Sequence, residues 1–184
     1  MAQLPREVRL IGGQWKRSKL PVADRPGLRP TPDRVRETLF NWLGQDLDGW
    51  RVLDAFAGSG ALGFEAASRG AADVRLLEHD AVLVASLQAS RMRLGATMLQ
   101  VERADALAWM AQAPAGSFDL VFLDPPFGAG LADPALALAA RLVGVHGFVY
   151  LETDLPTRCW PESLVLHKSA RAGAVHTQLF RRDA

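Results

Sequence analysis

Between Trp50 and Glu152 the chain repeats one unit: a short apolar run, then a stretch with helical spacing, then a turn. The runs Arg51–Phe56, Asp73–Glu78, Met98–Arg103, Phe118–Asp124 and Gly147–Glu152 are too short for helices and read as strands. Helical patterns lie between them over Ala61–Arg69, Ala81–Leu94, Ala106–Gln112 and Pro134–Val143, the first two stopped by Gly70 and Gly95. Strands that alternate with helices need crossover connections. The result is a mostly parallel sheet with helices on both faces. The end of the chain departs from this. Ser163–Ser169 and Val175–Phe180 are strand-like, and the five residues between them leave no room for a helix, so they pair antiparallel.

The predicted fold class is therefore α/β: a Rossmann-like sheet, mostly parallel, ending in an antiparallel C-terminal hairpin, which is the class I methyltransferase arrangement. Ahead of it, Glu7–Ile11 and Gln14–Val22 read as extended segments around Gly12-Gly13, a small β-hairpin arm. Asp24–Pro32 is a loop with three prolines. Thr31 is expected to cap a helix starting at Pro32, with Val35, Leu39, Trp42 and Leu43 as its apolar stripe. The expected organisation is an arm over residues 1–30 and a catalytic body over 31–184.

Charge separates these parts. Residues 1–36 carry nine Lys/Arg against three acids, or +6, and the remainder carries −5, although the whole chain is only +1. A basic end on a mildly acidic body fits a polyanionic partner, and a solvated arm is the alternative. Arg9, Lys16, Arg17, Lys19 and Arg25 are the candidate nucleic-acid contacts, read as cations with few acids nearby, and Trp15 is an aromatic on which a base could stack. Cys159 is the only cysteine, so neither an internal disulfide nor a cysteine-based zinc site is possible. The four histidines show no metal-ligand spacing, and no metal is expected. The start of the chain has no apolar signal core, and no stretch is long enough to span a bilayer. A cytoplasmic monomer with no membrane association is the expectation.

Two motifs carry chemistry. The first is Asp54-Ala55-Phe56-Ala57-Gly58-Ser59-Gly60-Ala61-Leu62-Gly63, a glycine fingerprint between a strand and a helix. Glycines there let a ligand approach the backbone, as in dinucleotide sites. Asp54, just before the loop, would repel a pyrophosphate but attract the cationic methionine end of S-adenosylmethionine. Glu78 ends the next strand, where a carboxylate can bond ribose hydroxyls; a surface acid is the alternative. Asp105 follows the third strand and could accept from an adenine amino group or cap the following helix.

The second motif is Asp124-Pro125-Pro126-Phe127, at the end of an apolar strand, where open α/β sheets bind ligands. Two prolines remove two N–H donors, leaving the Asp124 carboxylate and the Pro125 carbonyl as acceptors. They match the two hydrogens of an exocyclic amine, and Phe127 offers a stacking face. Accepting both hydrogens localises the nitrogen lone pair, which is otherwise delocalised into the base. A rigid turn after a strand is the alternative.

With these motifs, Arg29-Pro30-Thr31-Pro32-Asp33-Arg34-Val35-Arg36-Glu37-Thr38-Leu39-Phe40-Asn41-Trp42-Leu43 and Ile11-Gly12-Gly13-Gln14-Trp15-Lys16 resemble the bacterial 16S ribosomal RNA guanine-N2 methyltransferases of the RsmD type. The likeness runs from about Arg9 to Arg181. It implies methylation of N2 of one guanine, position 966 of the small-subunit RNA, with S-adenosylmethionine as cofactor and an assembling or assembled subunit as partner. Carried over by motif, Asp54, Phe56, Gly58, Gly60, Glu78 and Asp105 are the implied cofactor contacts. Asp124, Pro125, Pro126 and Phe127 are the implied catalytic tetrapeptide, and Arg29 and Thr31 are implied to lie near the cofactor carboxylate. The loop Gly128-Ala129-Gly130 departs from some relatives in lacking basic residues.

Three other readings compete. A DNA adenine or cytosine amino-methyltransferase shares the tetrapeptide but would carry a target-recognition insertion. A nicotinamide oxidoreductase shares the glycine loop but conflicts with Asp54. An RNA-binding assembly protein would have no use for an intact tetrapeptide.

Overall fold

The computed structural model describes residues 7–23, 25 and 31–183. A two-stranded antiparallel arm, β1 (Glu7–Arg9) and β2 (Lys19–Pro21), precedes α1 (Asp33–Leu43). The body follows as β3 (Arg51–Asp54), α2 (Ala61–Ser68), β4 (Asp73–Glu78), α3 (Ala81–Arg93), β5 (Leu99–Arg103), α4 (Ala106–Gln112), β6 (Phe118–Leu123), α5 (Ala132–Leu142), β7 (Val143–Thr153), β8 (Leu164–Ala172) and β9 (Val175–Arg182). The seven-stranded sheet has the order β5-β4-β3-β6-β7-β9-β8. Strands β3 to β7 are parallel, while β9 runs antiparallel between β7 and β8. The α/β class and the antiparallel closing hairpin are as the sequence predicts.

Alternation along the strands sorts the core. Val52, Leu76, Leu120, Phe122, Tyr150 and Leu179 face one layer, with Leu39, Phe40, Leu62, Phe64 and Leu87 of α1, α2 and α3. Their neighbours Leu53, Leu77, Val121, Leu123, Leu151 and Phe180 face the other, with Met110 and Leu136 of α4 and α5. Both faces of the parallel strands are thus buried, which is why these runs are almost continuously apolar. Among the described residues no helix is long and apolar enough to cross a membrane.

The differences from expectation have local causes. The arm strands are shorter than predicted because residues 10–18 form a loop closed by Leu10 N–H to the Ser18 carbonyl (2.8 Å) and Arg17 N–H to the Leu10 carbonyl (2.8 Å). Gly12 and Gly13 lie against α2 and do not make a tight hairpin turn. A Cβ at Gly13, whose φ is +71°, would lie 1.7 Å from the Ser68 carbonyl oxygen. Val8, Leu10 and Leu20 of the arm are buried in the same core layer as α1 and α2. Strand β7 starts earlier than predicted, directly from α5. A register shift against β6 and a positive φ at His146 absorb the extra residues. Thr31 does not cap α1: Pro32 occupies that position with no side-chain cap, and the Thr31 hydroxyl is used elsewhere.

Candidate functional site

The sheet reverses its strand order between β3 and β6, and the space beyond their C-terminal ends is where such sheets hold ligands. Asp54 ends β3 and Asp124 follows β6, so the two predicted motifs leave adjacent strands at this switch point.

The glycine loop is held from beneath. Ala55 N–H donates to the Phe122 carbonyl (3.1 Å) and Ala57 N–H to the Leu77 carbonyl (2.9 Å). Gly60 sits at φ +82°, and a Cβ there would meet Leu87 at 2.6 Å and Phe64 at 2.7 Å, so both backbone and packing demand glycine. At Gly63 a Cβ would come 2.1 Å from Leu76, so this glycine sets the close seating of α2 on β4. Phe56 is half-buried and packs against the α4/α5 layer.

Asp54 is buried and accepts the Gly63 N–H at 3.0 Å. Burial pushes its carboxyl up to about 7, aided by the nearby Glu78 and Glu152, while the Gly63 and Phe56 N–H groups oppose the rise. A carboxyl so poised would be drawn back to its ionised form by a cationic ligand. Glu78, also buried, binds three backbone donors: Gly58 N–H at 3.0 Å, His79 N–H at 2.8 Å and Asp80 N–H at 2.9 Å. It therefore ties the glycine loop to the end of β4. Asp105 is the exposed N-cap of α4, accepting the Ala108 N–H at 2.8 Å.

Asp124 stands beside a second carboxyl that sequence reasoning missed. Leu123 pairs with Leu151 in the β6–β7 ladder, so Asp124 and Glu152 sit side by side where the strands end. The Thr31 hydroxyl lies 3.5 Å from Asp124 Oδ2 and 3.2 Å from Glu152 Oε1, and the buried Tyr150 hydroxyl donates to the same Oε1 at 2.9 Å. Burial, then Glu152 and Asp54, raise the Asp124 carboxyl well above the usual range. Burial likewise raises Glu152, against the Tyr150 and Thr31 hydrogen bonds. Pro125 is buried, whereas Pro126 and Phe127 are exposed at the rim of a cavity of about 590 Å³ that Glu152 and the segment from Thr153 to Cys159 also line. Arg29 lies outside the described residues.

A second missed cluster locks the arm to this site. Arg36 of α1 is fully buried. It donates to the Thr31 carbonyl (3.2 Å), the Arg9 carbonyl (2.7 Å), Glu65 (3.1 Å) and Asp33. Glu65 of α2 also accepts Ile11 N–H (2.9 Å), Gly12 N–H (2.8 Å) and Arg69 Nε (2.9 Å). The Ser68 hydroxyl accepts the Trp15 N–H (2.9 Å) and donates to the Gly12 carbonyl (2.6 Å). The signal for Arg36 and Glu65 was in the sequence. Arg36 is in register with Phe40 and Leu43 on the inner face of α1, and Glu65 is the one acid in the otherwise uncharged Ala61–Ser68. A charge on an apolar face implies a buried partner.

The expectation that the arm's cations lack acidic partners is overturned at three of five positions. Arg9 pairs with Asp33 (3.2 Å), Lys19 with Glu7 (2.8 Å) and Arg25 with Asp80 (3.4 Å). Glu7 reaches Lys19 across the hairpin, Asp33 comes from the first turn of α1 and Asp80 from the N-cap of α3, so pairing follows from the fold and not from the number of acids in the segment. Among the described residues Lys16 and Arg17 form no ion pair and are exposed. Trp15 is half-buried, with its ring packed against the core layer.

A parallel sheet with an inserted antiparallel strand, a glycine loop after its first strand and Asp-Pro-Pro-Phe after its fourth together define a class I methyltransferase. Comparisons with known proteins place it more closely. The family described as "Conserved hypothetical protein 95" matches residues 8–181. Ribosomal RNA small subunit methyltransferase D of Escherichia coli is 42% identical, over 97% of this chain and 91% of its own. That of Haemophilus influenzae is 42% identical, over 95% and 94%. The chain belongs to this family, that of the small-subunit methyltransferase D proteins. The solved Escherichia coli protein yhhF superposes with a TM-score of 0.87 at 40% identity, covering 97% of this chain and 99% of that one. An RNA methyltransferase from Salinibacter ruber, solved with S-adenosyl-L-homocysteine, shares the fold at a TM-score of 0.65 and 15% identity, covering 84% and 94%.

Proposed function

We propose that this protein transfers a methyl group from S-adenosylmethionine to the exocyclic N2 of guanine 966 in small-subunit ribosomal RNA. It acts as a cytoplasmic monomer on RNA within an assembling or assembled small subunit. The observation that carries the reading is Asp124 and Pro125 at the switch point beside the glycine loop, in a chain of the small-subunit methyltransferase D family. Asp54, Phe56, Gly58, Gly60, Glu78 and Asp105 would hold the cofactor, with Arg29 and Thr31 toward its carboxylate end. A raised Asp54 carboxyl at the base of the glycine loop fits a cationic ligand. When bound, S-adenosylmethionine supplies a methyl group on a positively charged sulfur.

The chain's own groups then act on the base. Phe127 stacks against it, and Asp124 and the Pro125 carbonyl accept the two amino hydrogens. The N2 lone pair forms the new N–C bond, the methyl–sulfur bonding pair stays with sulfur, and the N2 proton passes to Asp124. A carboxyl raised by burial is a stronger proton acceptor than a free one, which suits this step. On the arm, Arg9, Trp15, Lys16, Arg17, Lys19 and Arg25 would contact RNA. The acidic partners of Arg9, Lys19 and Arg25 are solvent-exposed pairs, worth little, and exchange readily for phosphates.

The test is methyl transfer in vitro to small-subunit particles from cells lacking the protein, with the product mapped by nuclease digestion and mass spectrometry. One N2-methylguanine is expected. Asp124→Ala should lose roughly 10²-fold or more in rate while cofactor affinity stays within a few-fold. Methylation of an adenine, or Asp124→Ala at near wild-type turnover, would overturn the reading.

A further inference from the structure

The tetrapeptide recognises an amino group and not a base, so something else must choose guanine. We propose that Glu152 makes that choice, its carboxylate accepting the guanine N1–H while Asp124 and the Pro125 carbonyl hold the neighbouring 2-amino group. This rests on the reading of the site as a guanine amino-methyltransferase.

The placement comes from the sheet. Register sets Glu152 next to Asp124, one strand away, and Glu152 and Pro125 line the same cavity. On its Watson–Crick edge guanine presents N1–H beside its amino group, so two donor positions are adjacent. Adenine and cytosine present their amino group beside a bare ring nitrogen, which is an acceptor. Two neighbouring carboxyls therefore match guanine and oppose the other two bases by acceptor–acceptor repulsion. The match also relieves a cost within the protein. Burial raises both carboxyls and Glu152 further raises Asp124, and a base edge rich in donors offsets that cost.

Glu152 is oriented for this use. Its Oε1 accepts from both the Tyr150 hydroxyl (2.9 Å) and the Thr31 hydroxyl (3.2 Å), which leaves Oε2 as the oxygen for a ligand. Tyr150 is itself fixed, being fully buried and packed edge-on against Phe122 at 6.2 Å. The same two hydroxyls make Glu152→Gln a directional test. They continue to donate to an oxygen, so the amide oxygen takes the Oε1 position and the amide NH₂ turns toward the base. There it meets guanine N1–H donor to donor, but matches the bare N1 of 2,6-diaminopurine, which keeps the 2-amino group.

The experiment uses small-subunit particles reconstituted with RNA carrying either guanine or 2,6-diaminopurine at the methylated position. Labelled methyl transfer is measured for the wild type, Glu152→Gln and Tyr150→Phe, with calorimetric S-adenosylmethionine binding as the check on folding. The wild type should prefer guanine by roughly 10²-fold or more, since a buried polar group left unpaired is what rejects an analogue. Glu152→Gln should bring the preference to parity or reverse it. Tyr150→Phe, which frees the carboxylate to turn, should narrow it several-fold. Glu152→Gln active on guanine with the wild-type preference would overturn the assignment and leave the methyltransferase reading intact. No transfer by the wild type to either RNA would overturn both. If Glu152→Gln loses cofactor binding or is inactive on both RNAs, Tyr150→Phe decides, and an unchanged preference there also overturns the proposal.

Discussion

Arg36→Met would show whether the arm and the active site are one mechanical unit. Methionine keeps the length and apolar stem of arginine and deletes the guanidinium. Four contacts disappear: those to the Thr31 and Arg9 carbonyls, to Glu65 and to Asp33. Glu65 keeps Arg69 at 2.9 Å and two backbone donors, so its charge is not left bare. The cost should thus fall at the lower end of the range for breaking a buried pair, about 3 kcal/mol. For a chain of this length each kcal/mol moves the midpoint of thermal unfolding by about 2–4 °C, giving a drop of roughly 6–12 °C.

The assay is equilibrium urea unfolding without cofactor, because a ligand of the native state would mask part of the loss. Hydrogen exchange at Ile11, Gly12 and Trp15 would be followed alongside. Those amides should lose protection before the sheet does, since Glu65, paired with Arg36, holds those of Ile11 and Gly12, and Ser68 holds that of Trp15 in the same segment. Arg36→Met combined with Glu65→Gln should cost less than the sum of the two single changes by at least about 0.5 kcal/mol, the mark of direct coupling. A loss under about 1 kcal/mol, or strict additivity, would refute the view that this cluster fastens the arm.

Two further outcomes follow from the charges. Asp54 titrates near 7 when folded, above the ~3.9 of an unfolded chain, so the native state holds a proton that the unfolded state has shed and stability falls as pH rises across that window. Asp54→Asn should flatten this fall between about pH 4 and 7 in urea unfolding; an identical pH profile in the variant would count against the assignment. On the arm, neutralising Lys16 and Arg17 together should lower the log–log salt dependence of RNA affinity by about 1.4–1.8, and coincident slopes would mean that neither cation touches a phosphate.

The fold was legible because its determinants are local and periodic. Six-residue apolar runs between helical stretches leave few arrangements other than a parallel sheet, and the missing helix between Ser169 and Val175 forces the antiparallel ending. Errors clustered where tertiary contacts outbid local chemistry. Thr31 has the residue type and position of a helix cap, yet two carboxyls arriving from β6 and β7 claim its hydroxyl. Gly12-Gly13 has the composition of a hairpin turn, yet what it accommodates is the backbone of α2.

The site divides in the same way. Asp54, Gly60 and the Asp124 tetrapeptide stand out because the chemistry proposed for them depends on neighbours in sequence: a loop, a proline, a strand end. Glu152 does not, because its meaning depends on a residue one strand away and about thirty positions earlier. Yet it left a mark. In Phe148-Val149-Tyr150-Leu151-Glu152 a carboxylate ends a buried strand two residues after a tyrosine, so the two share a face and a hydrogen bond between them is expected. A buried acid facing a buried hydroxyl, beside the aspartate proposed to act on the base, is a costly arrangement to keep for stability alone. Two well-packed apolar side chains would serve the core better. The cost is explained if the carboxyl meets a donor from outside the protein, which is the role assigned to Glu152 at the guanine edge.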